Sequence, residues 1–231
     1  VNERVLCHYL FARFTREYWS LSADEQAALN REMLVDFSNS SDCLELYQVF
    51  PTRADAEVLF WSTVTANGQD EAGRFFEQFS RSAGRVRKYL EPVQTLWGFT
   101  RPSEYARGKS SQEIDPFSNN RKPYLVVYPF VKTMEWYRLS RDARQGMMNE
   151  HIRIGHQYPE ITQLLLYSTG LQDQEFVVVY ETDDLAHFSK LVTDLRATEA
   201  RHYTQRDTPI FTGVYHPAEV TLDIVSGREA A

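Results

Sequence analysis

A chain of 231 residues, 42% hydrophobic and 13% aromatic, can build a large core, which excludes intrinsic disorder. Its net charge of −7 and pI near 5.4 argue against nucleic acid as the main partner. The two cysteines, Cys7 and Cys43, lie far apart, which excludes a cysteine-rich zinc site, an iron–sulfur cluster and covalent C-x-x-C-H attachment of haem.

In chain order, a strand is expected near 4–14, then a helix from Ser22, whose "SADE" is a capping box. Strands near 44–50 and 57–64, a helix near 70–84 and a strand near 93–100 follow. The stretch 101–123, rich in Ser, Asn, Pro and charge, reads as a linker that could also cover a pocket. Beyond it come a strand "YLVVYPFVK", a helix from Ser140, and strands near 161–168 and 175–181 joined by the turn "TGLQD". A helix near 184–199 and a strand near 209–215 complete the chain. The apolar runs are strand-length and the first residues lack a signal-peptide layout. A soluble cytoplasmic protein with no membrane partner is therefore expected.

The two halves repeat each other. "YWSLSADEQAALNREM" and "WYRLSRDARQGMMNEH" align at an offset of 118, and the same offset sets "AEVLFWSTV" against "QEFVVVYET". Two blocks at one offset indicate a tandem duplication. Each copy reads β-α-β-β-α-β, so the expected class is α+β, two ferredoxin-like units with antiparallel sheets, of the dimeric α+β barrel type. The expected division is 1–118, including the start of the linker, and 119–231, which carries the site.

Candidate site residues gather in the second copy. Met147, His151, Ile154 and Tyr158 form one apolar stripe of a helix, whereas His156 falls off it, so the two histidines cannot hold one ion together. His151 is either a core histidine bonded to a carbonyl or a lone axial ligand, a habit of haem rather than zinc. The first copy has Met33 at the matching position, which raises the ligand reading, since a purely structural position would take the same residue type twice. On "YLVVYPFVK", alternation puts Tyr128 and Lys132 on one face, about 13 Å apart. Gln163 shares a face with Leu165 and Tyr167, where an amide must either sit at an edge or have something to bond, for which a ligand atom would serve. Arg196, in the last turn of a helix, suits the helix dipole or a carboxylate.

Together, "YPFVKTMEWY", "EHIRIGHQYP", "STGLQDQEFVVVYETDDL", "LVTDLR" and "PIFTG" resemble the chlorite dismutase family of haem proteins, and within it the coproheme decarboxylase branch. The resemblance is strongest from Tyr124 to Gly213 and implies a homopentamer with a haem b or iron coproporphyrin III site. It implies His151 as axial iron ligand and Gln163 where chlorite dismutases place an arginine. It also implies Trp136 packing nearby and Arg196 as a basic residue of the decarboxylase branch. Ala200 stands where chlorite dismutases pair the histidine with a glutamate, and Arg201 where decarboxylases have a propionate-binding serine. The implied reaction is oxidative decarboxylation of iron coproporphyrin III to haem b with hydrogen peroxide. Tyr128 would pass the oxidising equivalent as a radical, and Lys132 would anchor or polarise a propionate. Three other readings are a chlorite-degrading enzyme, a non-catalytic haem binder of the same fold, and a haem-free dimer that uses its sheet for interaction.

Overall fold

A computed structural model describes residues 4–105 and 110–228; positions 106–109 of the expected linker lie outside them. The first copy comprises β1 (Val5–Phe14), α1 (Arg16–Trp19), α2 (Ala23–Ser38), β2 (Cys43–Gln48), β3 (Val58–Thr65), α3 (Glu71–Val86) and β4 (Leu90–Thr100). The second comprises β5 (Tyr124–Lys132), α4 (Met134–Arg138), α5 (Arg141–Gly155), β6 (Thr162–Tyr167), β7 (Phe176–Thr182) and α6 (Leu185–Arg196). A 3-10 helix (Glu199–Tyr203), β8 (Thr204–Arg206), β9 (Phe211–Tyr215) and α7 (Ala218–Val225) follow. At the 118-residue offset, Arg16 meets Met134, Ala23 meets Arg141 and Val58 meets Phe176, the first residues of three element pairs. The duplication read from sequence is thus a duplication of structure.

Local chemistry sets the boundaries. Ser22 accepts from the Glu25 amide while the Glu25 carboxylate accepts from the Ser22 amide, the reciprocal cap that "SADE" predicts. Ser140 caps α5 in one direction only, accepting from the Ala143 amide. Asp184 opens α6 by accepting from the Ala186 and His187 amides. The short helices α1 and α4, the three-residue β8 and the terminal α7 were not expected from the sequence pattern.

Each half has the strand order of a ferredoxin-like unit, β4-β1-β3-β2 and β6-β7-β5-β9. Pairing of β4 with β6 and of β2 with β9 joins the halves, and the ring closes into an eight-stranded antiparallel barrel. Eight strands leave room inside only for side chains. Tyr9, Phe11, Tyr47, Trp61, Leu125, Val127, Leu164, Val179 and Phe211 fill it, Phe11 stacking on Phe211 at 3.7 Å. Each seam is two residue pairs long, and each carries a glycine. A Cβ on Gly213 would lie 2.8 Å from the Tyr47 Cβ, and one on Gly98 would lie 2.8 Å from the Tyr167 carbonyl oxygen. The backbones approach this closely only because both side chains are missing.

Alternation sends Leu125 and Val127 into the barrel, leaving Val126, Tyr128, Phe130 and Lys132 on the outer face. From the linker, Arg121 enters one end of the barrel. Its guanidinium lies 4.3 Å from the Trp61 ring centre, 3.4 Å from the Glu181 carboxylate, and donates to the Pro116 carbonyl at 2.9 Å. No helix among the described residues is long and apolar enough to cross a membrane.

Candidate functional site

The two outer faces differ, and the difference defines the site. In the first half α2 and α3 pack onto β1 and β3 through a continuous core of Leu10, Phe14, Tyr18, Met33, Phe37, Phe60, Phe75 and Phe79. The counterparts of Leu10, Phe14, Tyr18 and Met33 at offset 118 are Tyr128, Lys132, Trp136 and His151. Met33 is 1% exposed. By contrast, α5 buries no residue fully, and beneath it Gln163 and Leu165 of β6 remain exposed, Leu165 at 37%. Where the first copy is packed solid, the second sets Ile154 of α5 and Tyr158 against Val126, Val178 and Tyr180 but leaves Gln163 and Leu165 of the same sheet uncovered.

That helix is held at its rim. Tyr158, just past its end, donates to Asp194 of α6, and Lys190 donates to both, at 2.8 and 2.9 Å. Gln112 of the linker donates to the carbonyls of Gly155, Tyr158 and Ile161. Glu150 accepts from the Glu199 amide at 3.1 Å, and Gln145 donates to the Tyr105 carbonyl at 3.0 Å. Such rim bonding keeps α5 in place without closing the space beneath it.

His151 lies on the inward side of α5 and His156 is exposed, as the apolar stripe predicts. Burial, aided by the charge of Lys132 and opposed by Glu150, pulls the His151 imidazole down to about 4. The ring is therefore neutral at pH 7, the form that coordinates metal. Among the described residues it has no hydrogen-bond partner, so the carbonyl-bonded core histidine is not what the structure shows.

Tyr128, Lys132, Arg196 and Arg201 come together along β5 and the α6–β8 segment. Burial and the neighbouring Tyr180 push the Tyr128 hydroxyl well above its ordinary value, and Arg196 opposes them. The two rings stack with centres 6.2 Å apart. Lys132 Nζ donates to the Ala200 carbonyl and to Thr204 Oγ1, both at 3.4 Å, and lies 4.5 Å from the Trp136 ring centre. Burial and the charge of Arg201 draw its ammonium down to about 8, with Glu175 opposing. Trp136 is buried against Tyr203 and Tyr105 and forms a wall behind Lys132. Arg201 and Arg196 converge on Asp207, at 2.7 and 3.5 Å.

Gln163 sits at the other side of this face, on β6. Its side chain is exposed, so it is not a buried amide left without a partner. Instead its backbone is fixed by the linker: its amide donates to the Gln112 carbonyl at 2.7 Å and its carbonyl accepts from Ile114 at 3.0 Å. The linker does border this face, Tyr105 against Trp136 and Gln112 against the end of α5, while Ile114 turns into the barrel interior.

Sequence reasoning missed Tyr180, Glu175 and Asp207. Tyr180 was discoverable, since it faces both Gln163 and Val126 across the ladder. Glu175 accepts from the Lys132 amide at 2.7 Å and holds the Tyr137 hydroxyl, whose pKa rises through burial and this bond. Asp207 had no sequence signal, because the 3-10 turn that brings it to the arginines is not periodic.

The sequence profile of the family described as chlorite dismutase matches residues 6–216. The chain belongs to the chlorite dismutase family. A coproheme decarboxylase of Mycolicibacterium smegmatis is 32% identical over 172 residues, covering 73% of this chain and 71% of that protein. A coproheme decarboxylase of Staphylococcus carnosus is 31% identical over 131 residues, about half of each chain (50% and 52%). A structure of a chlorite dismutase variant from Candidatus Nitrospira defluvii superposes with a TM-score of 0.85 at 21% identity, covering 98% and 97%. At that identity it shows the shared chlorite dismutase fold and no more.

Proposed function

We propose that this chlorite dismutase family member is a peroxide-dependent coproheme decarboxylase, and that the face between α5 and β5–β7–β6 is its iron porphyrin site. The carrying observation is the contrast between the halves: the packed Leu10–Phe14–Met33 core of one is replaced by Tyr128, Lys132 and an unpartnered His151 in the other. The residues fit such a ligand. A neutral imidazole lies on α5 near Lys132, and Leu165 of the outer sheet face is left exposed. Three cations at one end suit carboxylates, while Gln163 supplies a neutral amide at another.

His151 would hold the iron, and Arg196, Arg201 and Lys132 would hold propionate carboxylates. Bound there, iron coproporphyrin III together with hydrogen peroxide would supply the oxidising equivalents for losing two propionate carboxyl groups as CO2. Tyr128 keeps its Oη proton at neutral pH because burial and Tyr180 disfavour the phenolate. Its oxidation therefore requires the proton to leave Oη with the electron. Trp136 and the linker residue Tyr105 screen Lys132 from water. Gln163 and Ala200 support decarboxylation over chlorite breakdown, because neither supplies the charge that a distal arginine or a histidine-paired glutamate would bring. Similarity to two coproheme decarboxylases supports the same choice.

Tyr128→Phe tests this reading. It should leave porphyrin binding unchanged and abolish loss of carboxyl groups, followed by mass spectrometry of the porphyrin. Decarboxylation by the phenylalanine variant at the wild-type rate would remove the tyrosine from the mechanism.

A further inference from the structure

We infer that Asp207 is a resident carboxylate: it occupies the carboxylate-binding arginines of the ligand-free site, and a ligand's carboxylate must replace it there. This inference rests on the functional reading above and specifies how the site meets its substrate. One oxygen, Oδ2 of Asp207, receives both Arg201 Nη1 at 2.7 Å and Arg196 Nη2 at 3.5 Å. The aspartate is the most buried of the three, 18% exposed against 34% and 51%. Its charge also reaches the Tyr128 hydroxyl, where it acts against that of Arg196. So a carboxylate and a guanidinium already flank the tyrosine.

Lys132 provides the contrast. Among the described residues its ammonium bonds only neutral oxygens and has no carboxylate within ion-pair distance. The corner thus holds one cation ready for an anion and two that are engaged by an internal one. A guanidinium fork accepts one planar carboxylate well, so a propionate arriving at Arg201 competes directly with Asp207. The segment carrying Asp207 can yield, because it joins β8 to β9 and β8 touches β5 through only two residue pairs. A competitor built into the chain lowers apparent affinity by the fraction of molecules in which it holds the site.

The test is an absorbance titration of apoprotein with iron coproporphyrin III, comparing wild type with Asp207→Asn, Asp207→Glu, Arg201→Gln and the Asn/Gln double variant. Asp207→Asn should bind about fivefold tighter, the scale of one partly exposed charge-assisted pair. Asp207→Glu should return close to wild type. In the Arg201→Gln background the asparagine should bring a much smaller gain, that of freeing Arg196 alone, and the tetramethyl ester of the same porphyrin should bind wild type and Asp207→Asn alike. Should the asparagine variant fold poorly, Asp207→Ser read by the same titration carries the same expectation. Binding by Asp207→Asn that equals or falls below wild type would overturn the proposal and make Asp207 an orienting residue for Arg201. Failure of wild type to bind iron coproporphyrin III at all would instead overturn the functional reading, and this inference with it.

Discussion

Replacing His151 by methionine, the residue that the first copy carries at the matching position, separates a ligand from a core histidine. The half-buried imidazole has no hydrogen-bond partner among the described residues, and full burial of such a group would cost about 1–3 kcal/mol. The open space beneath α5 lets water relieve part of it, so the lower end applies. His151→Met should therefore make the apoprotein as stable as wild type or about 1 kcal/mol more stable at pH 7, raising Tm by about 2–4 °C for a chain of this size. Acid should widen the gap. The imidazole sits at about 4 in the folded chain against 6.5 when unfolded. Above pH 6.5 neither state holds the proton; as pH falls from 6.5 towards 4 the unfolded state takes it first and stability is lost. A shift of that size corresponds to about 3 kcal/mol in full, and to about 2 kcal/mol or less after solvent screening of a partly open ring. His8, buried against Phe75 and Phe79 and also held at about 4, gives both proteins the same remaining acid slope. Urea unfolding of both apoproteins at pH 7, 6 and 5 measures the difference. A loss of more than about 1 kcal/mol at pH 7, with unchanged acid sensitivity, would show that His151 is a structural core residue and refute the reasoning.

Gly213→Ala should cost about 1–3 kcal/mol in urea unfolding, because the new methyl meets the Tyr47 Cβ across a seam only two residue pairs long. Arg121→Met leaves Glu181 buried without its cation and should destabilise by about 3–5 kcal/mol, with Arg121→Met/Glu181→Leu recovering much of the loss in the same assay. Ser140→Ala removes the cap of the helix that carries His151 and should cost about 1 kcal/mol by thermal unfolding. Binding of iron coproporphyrin III should weaken as pH rises through 8, where Lys132 loses its proton, and as pH falls towards 4, where His151 gains one. Lys132→Met should remove the alkaline limb of that profile and leave the acid limb in place.

Much of the fold was legible because the signals were periodic. Alternation in "YLVVYPFVK" fixed which face carries Tyr128 and Lys132, and the 118-residue offset carried α2 onto α5 before any contact was known. Closure of the barrel gave only a hint through the duplication, since its two seams depend on Gly98 and Gly213 rather than on any run of residues. The inward histidine was legible as an exception in the repeat, Met33 in one copy and His151 in the other. Of the carboxylate corner, Arg196, Arg201 and Lys132 were legible and Asp207 was not. Beyond α6 the copies diverge into a 3-10 turn, and the meeting of Arg196, Arg201 and Asp207 is a product of that turn. Gln163 shows the limit from the other side: its residue type left open an edge position or a bonded partner, and the structure leaves the side chain exposed while its backbone bonds Gln112 and Ile114 of the linker.

The most direct test of the central claim is a titration of purified apoprotein with iron coproporphyrin III, followed by stepwise addition of peroxide and mass spectrometry of the porphyrin. The account predicts stoichiometric binding that His151→Met weakens, then successive loss of two carboxyl groups. Tight binding with bleaching and no loss of carboxyl groups, or binding indifferent to His151, would contradict it.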